Sequence, residues 1–339
     1  MVIRLGYDTY SLRALRWNAM QHLEFAAQQG LDAIQFSSIH DFGDTSPEAL
    51  RMVKARAERL GIRIDGGVGC VCELSKSWNA KEGSPTEVLL QGMDIANQVG
   101  AKVVRCVMGG PADRYGDRPL QQLMGALVRN LKTVRTKAHE LGIKLAVENH
   151  GDLQAWQMKQ LIEEAGKDFV GSNLDLGNPT YVMENPMTTL EVLGPYAVTT
   201  HIRDTAVYEH PRGAAVQWTA LGDGSVDMKA IVARYKDLCP DASFQLEIIT
   251  GRPPAVIPYL EADLWKAYKD MPASQFASFV ALAKSGHPFS GRMVIEDAPG
   301  QAPAPEFQDA LAYQQRYDLE RSFHFAKNVL GVGRQVMNA

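Results

Sequence analysis

Apolar and polar residues alternate in eight short runs over the first 250 positions, and between these runs apolar residues return every three or four positions. Alternation of period two marks strands, and the longer return marks helices. The strand runs are RLGYDTYS (4–11), AIQFSS (33–38), IRIDGGVG (62–69), KVVRCVMG (102–109), KLAVENH (144–150), VGSNLDLG (170–177), AVTTHIRD (197–204) and SFQLEIIT (243–250). The stretches between them include NAMQHLEFAAQQG, SPEALRMVKARAERLG, SPTEVLLQGMDIANQVG and LQQLMGALVRNLKTVRTKAHELG. Several open on Ser or Asn with a Pro nearby and close on Gly30, Gly61, Gly100 or Gly142, which is helix start and stop chemistry.

Strands alternating with helices imply a parallel sheet with right-handed crossovers. Eight such units in this length fit a closed (β/α)8 TIM barrel. An open doubly wound sheet would show a Gly-rich phosphate loop after its first strand, and YDTYSLRALRW has none. The 339 residues read as a single TIM-barrel domain, α/β in class, with a long insertion between strand eight and the C-terminal helix. The insertion covers 251–305, with Pro-rich ends around ASQFASFVALAKSG, and the closing helix covers 306–331. A long segment after the C-terminal end of a barrel strand is expected as a lid or pocket wall, or as an oligomer contact.

Composition changes this picture little. With 45% hydrophobic and 22% charged residues and a net charge of −4, the chain is ordinary for a soluble protein. No apolar run has membrane length and MVIRLGYDTYSL has no leader pattern, so no membrane partner and a cytoplasmic location are expected. Cys70, Cys72, Cys106 and Cys239 show no Cys-x-x-Cys spacing, which suits a reducing compartment. Net acidity argues against a nucleic-acid partner.

The chemistry gathers at the ends of strands five to eight. Glu148 and His150 share one face of KLAVENH, and Asp175, His201 and Glu247 end the next three strands. Three carboxylates brought together repel by about 4 kcal/mol per close pair at an effective dielectric near 20. A divalent cation reverses that sign. Three carboxylates and one imidazole form a hard set that favours Mn²⁺, with Mg²⁺, Co²⁺ or Zn²⁺ as alternatives. Glu296 in MVIEDAPG is a rival to Glu247 as fourth ligand if one earlier strand is spurious.

VENHG, LDLGN, HIRD and LEII, in that order, resemble the sugar phosphate isomerase/epimerase family of the xylose-isomerase-like TIM-barrel superfamily. The resemblance covers the barrel and the closing helix and leaves the insertion unmatched. It implies a metal held by Glu148, Asp175, His201 and Glu247, with Arg203 reaching the substrate. It also implies an isomerase or epimerase acting on a small carbohydrate through an enediolate, with Glu148 and Glu247 as acid and base. Members of the D-tagatose epimerase type carry a His where this chain has Asn178. The ENH triplet instead resembles members that act on 3-oxo-glycosides by β-elimination, with His150 as base, and HIRD is similar to inosose dehydratases. Elimination by a lyase or dehydratase is therefore the alternative. An apurinic endonuclease of the superfamily would need more metal-binding His than the eight here and a basic face, and a non-catalytic barrel would be expected to lose ligands. Trp78, Trp218 and Trp265 are candidates for a sugar-stacking wall, and VMGGPADR for a phosphate loop, though a turn suits it better. Pairing with a second copy or a small accessory subunit stays open.

Overall fold

The structure is a computed structural model that describes residues 3–291, 294–298, 300–301 and 303–334. Seven parallel strands come first: β1 (Leu5–Asp8), β2 (Ala33–Gln35), β3 (Arg63–Cys70), β4 (Val103–Val107), β5 (Lys144–Glu148), β6 (Val170–Asp175) and β7 (Ala197–His201). An antiparallel hairpin, β8 (Asp204–His210) and β9 (Gly213–Thr219), follows. The eighth barrel strand is β10 (Phe244–Leu246), and β11 (Ala255–Ile257) pairs with the hairpin. The barrel runs β10-β1-β2-β3-β4-β5-β6-β7 and closes through a parallel bridge between Ile202 and Leu246. All eight expected barrel strands are present, so the fold is the TIM barrel that the alternation implies.

The helices begin and end where the capping residues sit. Ser46 and Ser84 cap Pro47–Leu60 and Pro85–Val99, and Gly61 and Gly100 close them at φ +64° and +80°. Ser84 and Glu87 satisfy each other's backbone N–H groups in a capping box. The long stretch after β4 is two helices, Leu120–Thr133 and Arg135–Leu141, broken at Val134. Gly6 is required by close approach: a Cβ there would sit 2.2 Å from Gln245 Oε1 and 2.4 Å from the Ala33 carbonyl oxygen.

Several boundaries differ from those expected. The seventh run stops at His201, and Asp204 opens β8 rather than ending β7. The eighth run pairs only over Phe244–Leu246, leaving Glu247 on the buried chain beyond it. The closing helix spans Pro305–Asn328.

Residues 255–283 and the hairpin build one cap with its own apolar core. Val207, Val216, Ile257, Phe279 and Ala283 pack there with Val182 and Met183, which follow β6. The insertion also reaches the loops after β1 and β4: Asp297 pairs with Arg13, and Arg114 Nη1 donates to the Ala267 carbonyl at 2.8 Å. These contacts hold the insertion against the loops that follow β1 and β4. Among the described residues, no helix is long and apolar enough to cross a membrane, and the four cysteines are free.

Candidate metal centre

Four barrel strands in succession bring Glu148, Asp175, His201 and Glu247 to one point. One ligand atom from each lies within 4.8 Å of the others, and all four residues are buried. His201 Nδ1 is 3.4 Å from Glu148 Oε2, 3.4 Å from Glu247 Oε2 and 3.9 Å from Asp175 Oδ2. Among the described residues it is buried without a hydrogen-bond partner. An unpartnered imidazole nitrogen ringed by carboxylate oxygens is a donor set that could hold a divalent cation.

The charge balance agrees. Four buried carboxylates (Asp8, Glu148, Asp175, Glu247) meet two guanidiniums (Arg105, Arg203) around His201, which leaves two negative charges when the imidazole is neutral. A divalent ion would cancel that remainder.

Arginines brace the ligands. Arg105, on β4, places Nε 2.6 Å and Nη2 2.5 Å from Glu148 Oε2, and its Nη1 donates to the Val68 carbonyl at 3.3 Å. Burial alone would raise the Glu148 carboxyl, but Arg105, His201 and His150 outweigh it and hold it well below the usual range. Arg203 is buried, with 1% of its surface exposed. Its Nη2 donates to Asp175 Oδ2 at 2.6 Å and to Asn178 Oδ1 at 2.9 Å, and its Nη1 pairs with Glu247. Asn178 completes the ring by donating from Nδ2 to Glu148 Oε1 at 3.1 Å. Burial, opposed by Arg203 and reinforced by Glu148 and Glu247, pushes the Asp175 carboxyl up to about 6.

A second layer sets the imidazole tautomer. Gln35 Nε2 donates to Thr199 Oγ1 at 2.9 Å and to Asn173 Oδ1 at 3.2 Å, so its Oε1 faces His201 Nε2 as acceptor. Asp8 Oδ2 lies 3.3 Å from the same nitrogen. The Gln35 acceptor, with the Asp8 carboxylate beside it, assigns the proton to Nε2 and leaves Nδ1 free to ligate. Burial would lower the His201 pKa, yet Glu247, Glu148 and Asp8 hold it well above its ordinary value while those charges are uncompensated.

His150 lies just beyond β5 and is half-buried. Its Nδ1 is 2.6 Å from the Gly109 carbonyl oxygen, which can only accept, so Nδ1 donates. Glu296 stays exposed outside any helix or strand and does not join the cluster, which corrects the rival assignment. Trp218 covers Arg203, whose Cζ is 4.6 Å from the ring centroid. Trp265 packs on Phe276 inside the cap, and Trp78 packs on the main core, so those two do not form a wall with Trp218. The GGPADR loop cradles its own carboxylate: Asp113 accepts from Gly110 N–H, Lys76 N–H and the Ser75 hydroxyl.

Sequence reasoning missed Arg105, Gln35, Asp8 and the bracing by Asn178. Three of these were marked by a signal, a polar residue inside an apolar strand run: Arg105 in VVRCV, Gln35 in AIQF and Asp8 ending LGYD.

The comparisons with known proteins agree with this architecture. Residues 23–262, well over half of the chain, match the family described as Xylose isomerase-like TIM barrel. A curated Escherichia coli (strain K12) protein, uncharacterized protein YihM, is 23% identical over 142 residues, a segment spanning 42% of this chain and only 42% of that one. A solved D-psicose 3-epimerase with D-fructose superposes at a TM-score of 0.62 with 16% identity, over 97% of this chain and all of that one. The probable 3-DHS dehydratase AsbF of Bacillus anthracis gives 0.57 and 15%, over 72% and 92% of the two chains. A xylose isomerase-like barrel of Mycobacterium smegmatis in complex with magnesium gives 0.55 and 15%, over 84% and 97%. At these identities the superpositions speak for the fold, and together with the family match they lead to one conclusion: the chain belongs to the xylose isomerase-like TIM barrel family.

Proposed function

We propose that the protein is a divalent-metal-dependent enzyme that removes a proton α to a carbonyl of a small carbohydrate, yielding an isomer or epimer through an enediolate. The observation that carries this reading is the buried Glu148–Asp175–His201–Glu247 cluster with its unpartnered Nδ1. A bound divalent ion there would polarise the carbonyl and its neighbouring hydroxyl, Mn²⁺ suiting the ligand set best. Glu247 is the better-placed acid or base of the two glutamates: its Oε2 pairs with Arg203, whereas both oxygens of Glu148 are engaged, by Arg105 and Asn178. A positioned base of this kind contributes typically about 10²- to 10⁴-fold.

One observation favours a second reading. The Arg105 clamp weakens Glu148 as a proton acceptor, and a neutral His150 offers its Nε2 lone pair at the same strand end. One-sided abstraction by His150, followed by loss of a β-leaving group, would make the enzyme a lyase or dehydratase. The similar barrels carry names of both kinds, an epimerase and a dehydratase. The cap is read as a lid over the barrel mouth that excludes water from the enediolate.

The test is a panel of ketoses and keto-glycosides incubated with Mn²⁺-loaded protein in D₂O and followed by NMR. Metal-dependent deuterium incorporation at one carbon supports the proposal, and the product separates isomer, epimer and elimination. If no panel member exchanges with metal bound, proton abstraction is wrong. A His150→Asn variant that keeps its metal and its exchange removes His150 as base.

A further inference from the structure

A second set of unpartnered atoms lies beside the metal centre. Arg252 follows β10 on the chain that leads into β11. Its Nε and Nη1 are buried and, among the described residues, meet no acceptor. Only Nη2 has a partner, the Tyr10 hydroxyl at 3.3 Å in the turn after β1. Trp218 Nε1 and Arg203 Nε are orphaned in the same way.

The chain segments that carry Arg252 and Trp218 run side by side. Gln217 Nε2 donates to the Arg252 carbonyl at 2.8 Å, and the pairing of Ala255 with Val216 carries the chain around Arg252 alongside the end of β9. The Trp218 ring covers Arg203 at 4.6 Å on the metal side and meets the Tyr181 ring at 4.8 Å. Burial pushes the Tyr181 hydroxyl up, and Arg203 and Arg252 both lie close enough to act against that shift.

The chemistry of the set is one-sided. A guanidinium and an indole donate and cannot accept. Two buried guanidinium N–H groups left unsatisfied are unfavourable until an acceptor arrives. The hydroxyl of a neutral sugar brings a donor with every acceptor, whereas a carboxylate or phosphate brings acceptors and the compensating charge. We propose that Arg252, with Trp218 Nε1 and the Tyr10 hydroxyl, forms a subsite for an anionic oxygen group of the substrate, which is therefore an acidic or phosphorylated carbohydrate. This rests on the carbohydrate reading of the metal centre and deepens it.

The test is calorimetric titration of the metal-loaded protein with inorganic phosphate, D-gluconate and the neutral polyol sorbitol. At least one anion is expected to bind ten or more times tighter than sorbitol, roughly the gain of one charge-assisted contact, and the tighter anion identifies the group. Arg252→Met should bring that anion down to the sorbitol level, and Arg252→Lys should fall between. Arg252→Gln serves if the Met variant does not fold. The proposal is overturned if neither anion outbinds sorbitol, or if the folded variant holds the anion within twofold of wild type. Anion binding lost on chelation but indifferent to Arg252 is ligation of the metal, and it overturns the proposal too. If the protein takes up no metal, the proposed function fails, yet the same titrations on metal-free protein still read Arg252.

Discussion

Replacing Gln35 by Leu tests whether the second layer sets the metal affinity. The Gln35 carbonyl oxygen holds the proton of His201 on Nε2, and Leu fills much of the volume while removing that acceptor. Without it the imidazole is free to carry its proton on Nδ1, the atom that must ligate. Loss of a comparable partner behind a metal-bound His costs about 10- to 100-fold in affinity, or about 1.4 to 2.7 kcal/mol. Asp8 Oδ2 remains as a longer acceptor at 3.3 Å, so the lower half of that range applies. The variant also strips a donor from Thr199 and from Asn173, at about 1 kcal/mol each in fold stability. Titration of Mn²⁺ by calorimetry separates the two effects, since affinity and denaturant midpoint are read independently. Gln35→Glu restores an acceptor oxygen and is expected to bind the metal better than Gln35→Leu. If Gln35→Leu binds Mn²⁺ within twofold of wild type, the tautomer argument is wrong.

Other perturbations follow from the same geometry. A Cβ on Gly177 would sit 2.3 Å from Arg203 Nε, so Gly177→Ala should displace the guanidinium and lower metal affinity while the barrel stays folded by circular dichroism. Burial raises the Glu184 carboxyl to about 7, against the pull of the Ala155 N–H, Thr189 and Arg114. A raised carboxyl adds stability that is complete below its unfolded pKa and is lost as pH climbs through the folded one. Stability should thus fall by up to about 3 kcal/mol between pH 4.5 and 7 from this group, and Glu184→Gln should flatten that slope in denaturation midpoints. Adding Mn²⁺ to chelator-treated protein should raise Tm, by about 2.7 kcal/mol of stabilisation at a hundredfold excess over Kd; an unchanged Tm speaks against a specific site.

The sequence exposed the barrel because period-two and period-3.6 patterns alternate cleanly and glycines stop the helices. It exposed the four candidate ligands because three end a strand and Glu247 follows one directly, where a charged residue breaks an apolar run. The hairpin Asp204–Thr219 was hidden because HIRD reads as the end of one strand, although His201 ends β7 and Asp204 begins β8. Arg105, Gln35 and Asp8 were hidden for a different reason. Their partners are on other strands, so a polar side chain in an apolar run has no visible compensation until the barrel closes. Arg203 shows the same limit: its position beside the candidate ligands was legible, and its grip on Asp175, Glu247 and Asn178 was not.

The most direct measurement is anomalous scattering at the manganese edge from crystals grown with Mn²⁺. The account predicts one strong peak within about 2.0–2.3 Å of Glu148, Asp175, His201 Nδ1 and Glu247. A peak elsewhere, or coordination of His201 through Nε2, would contradict it.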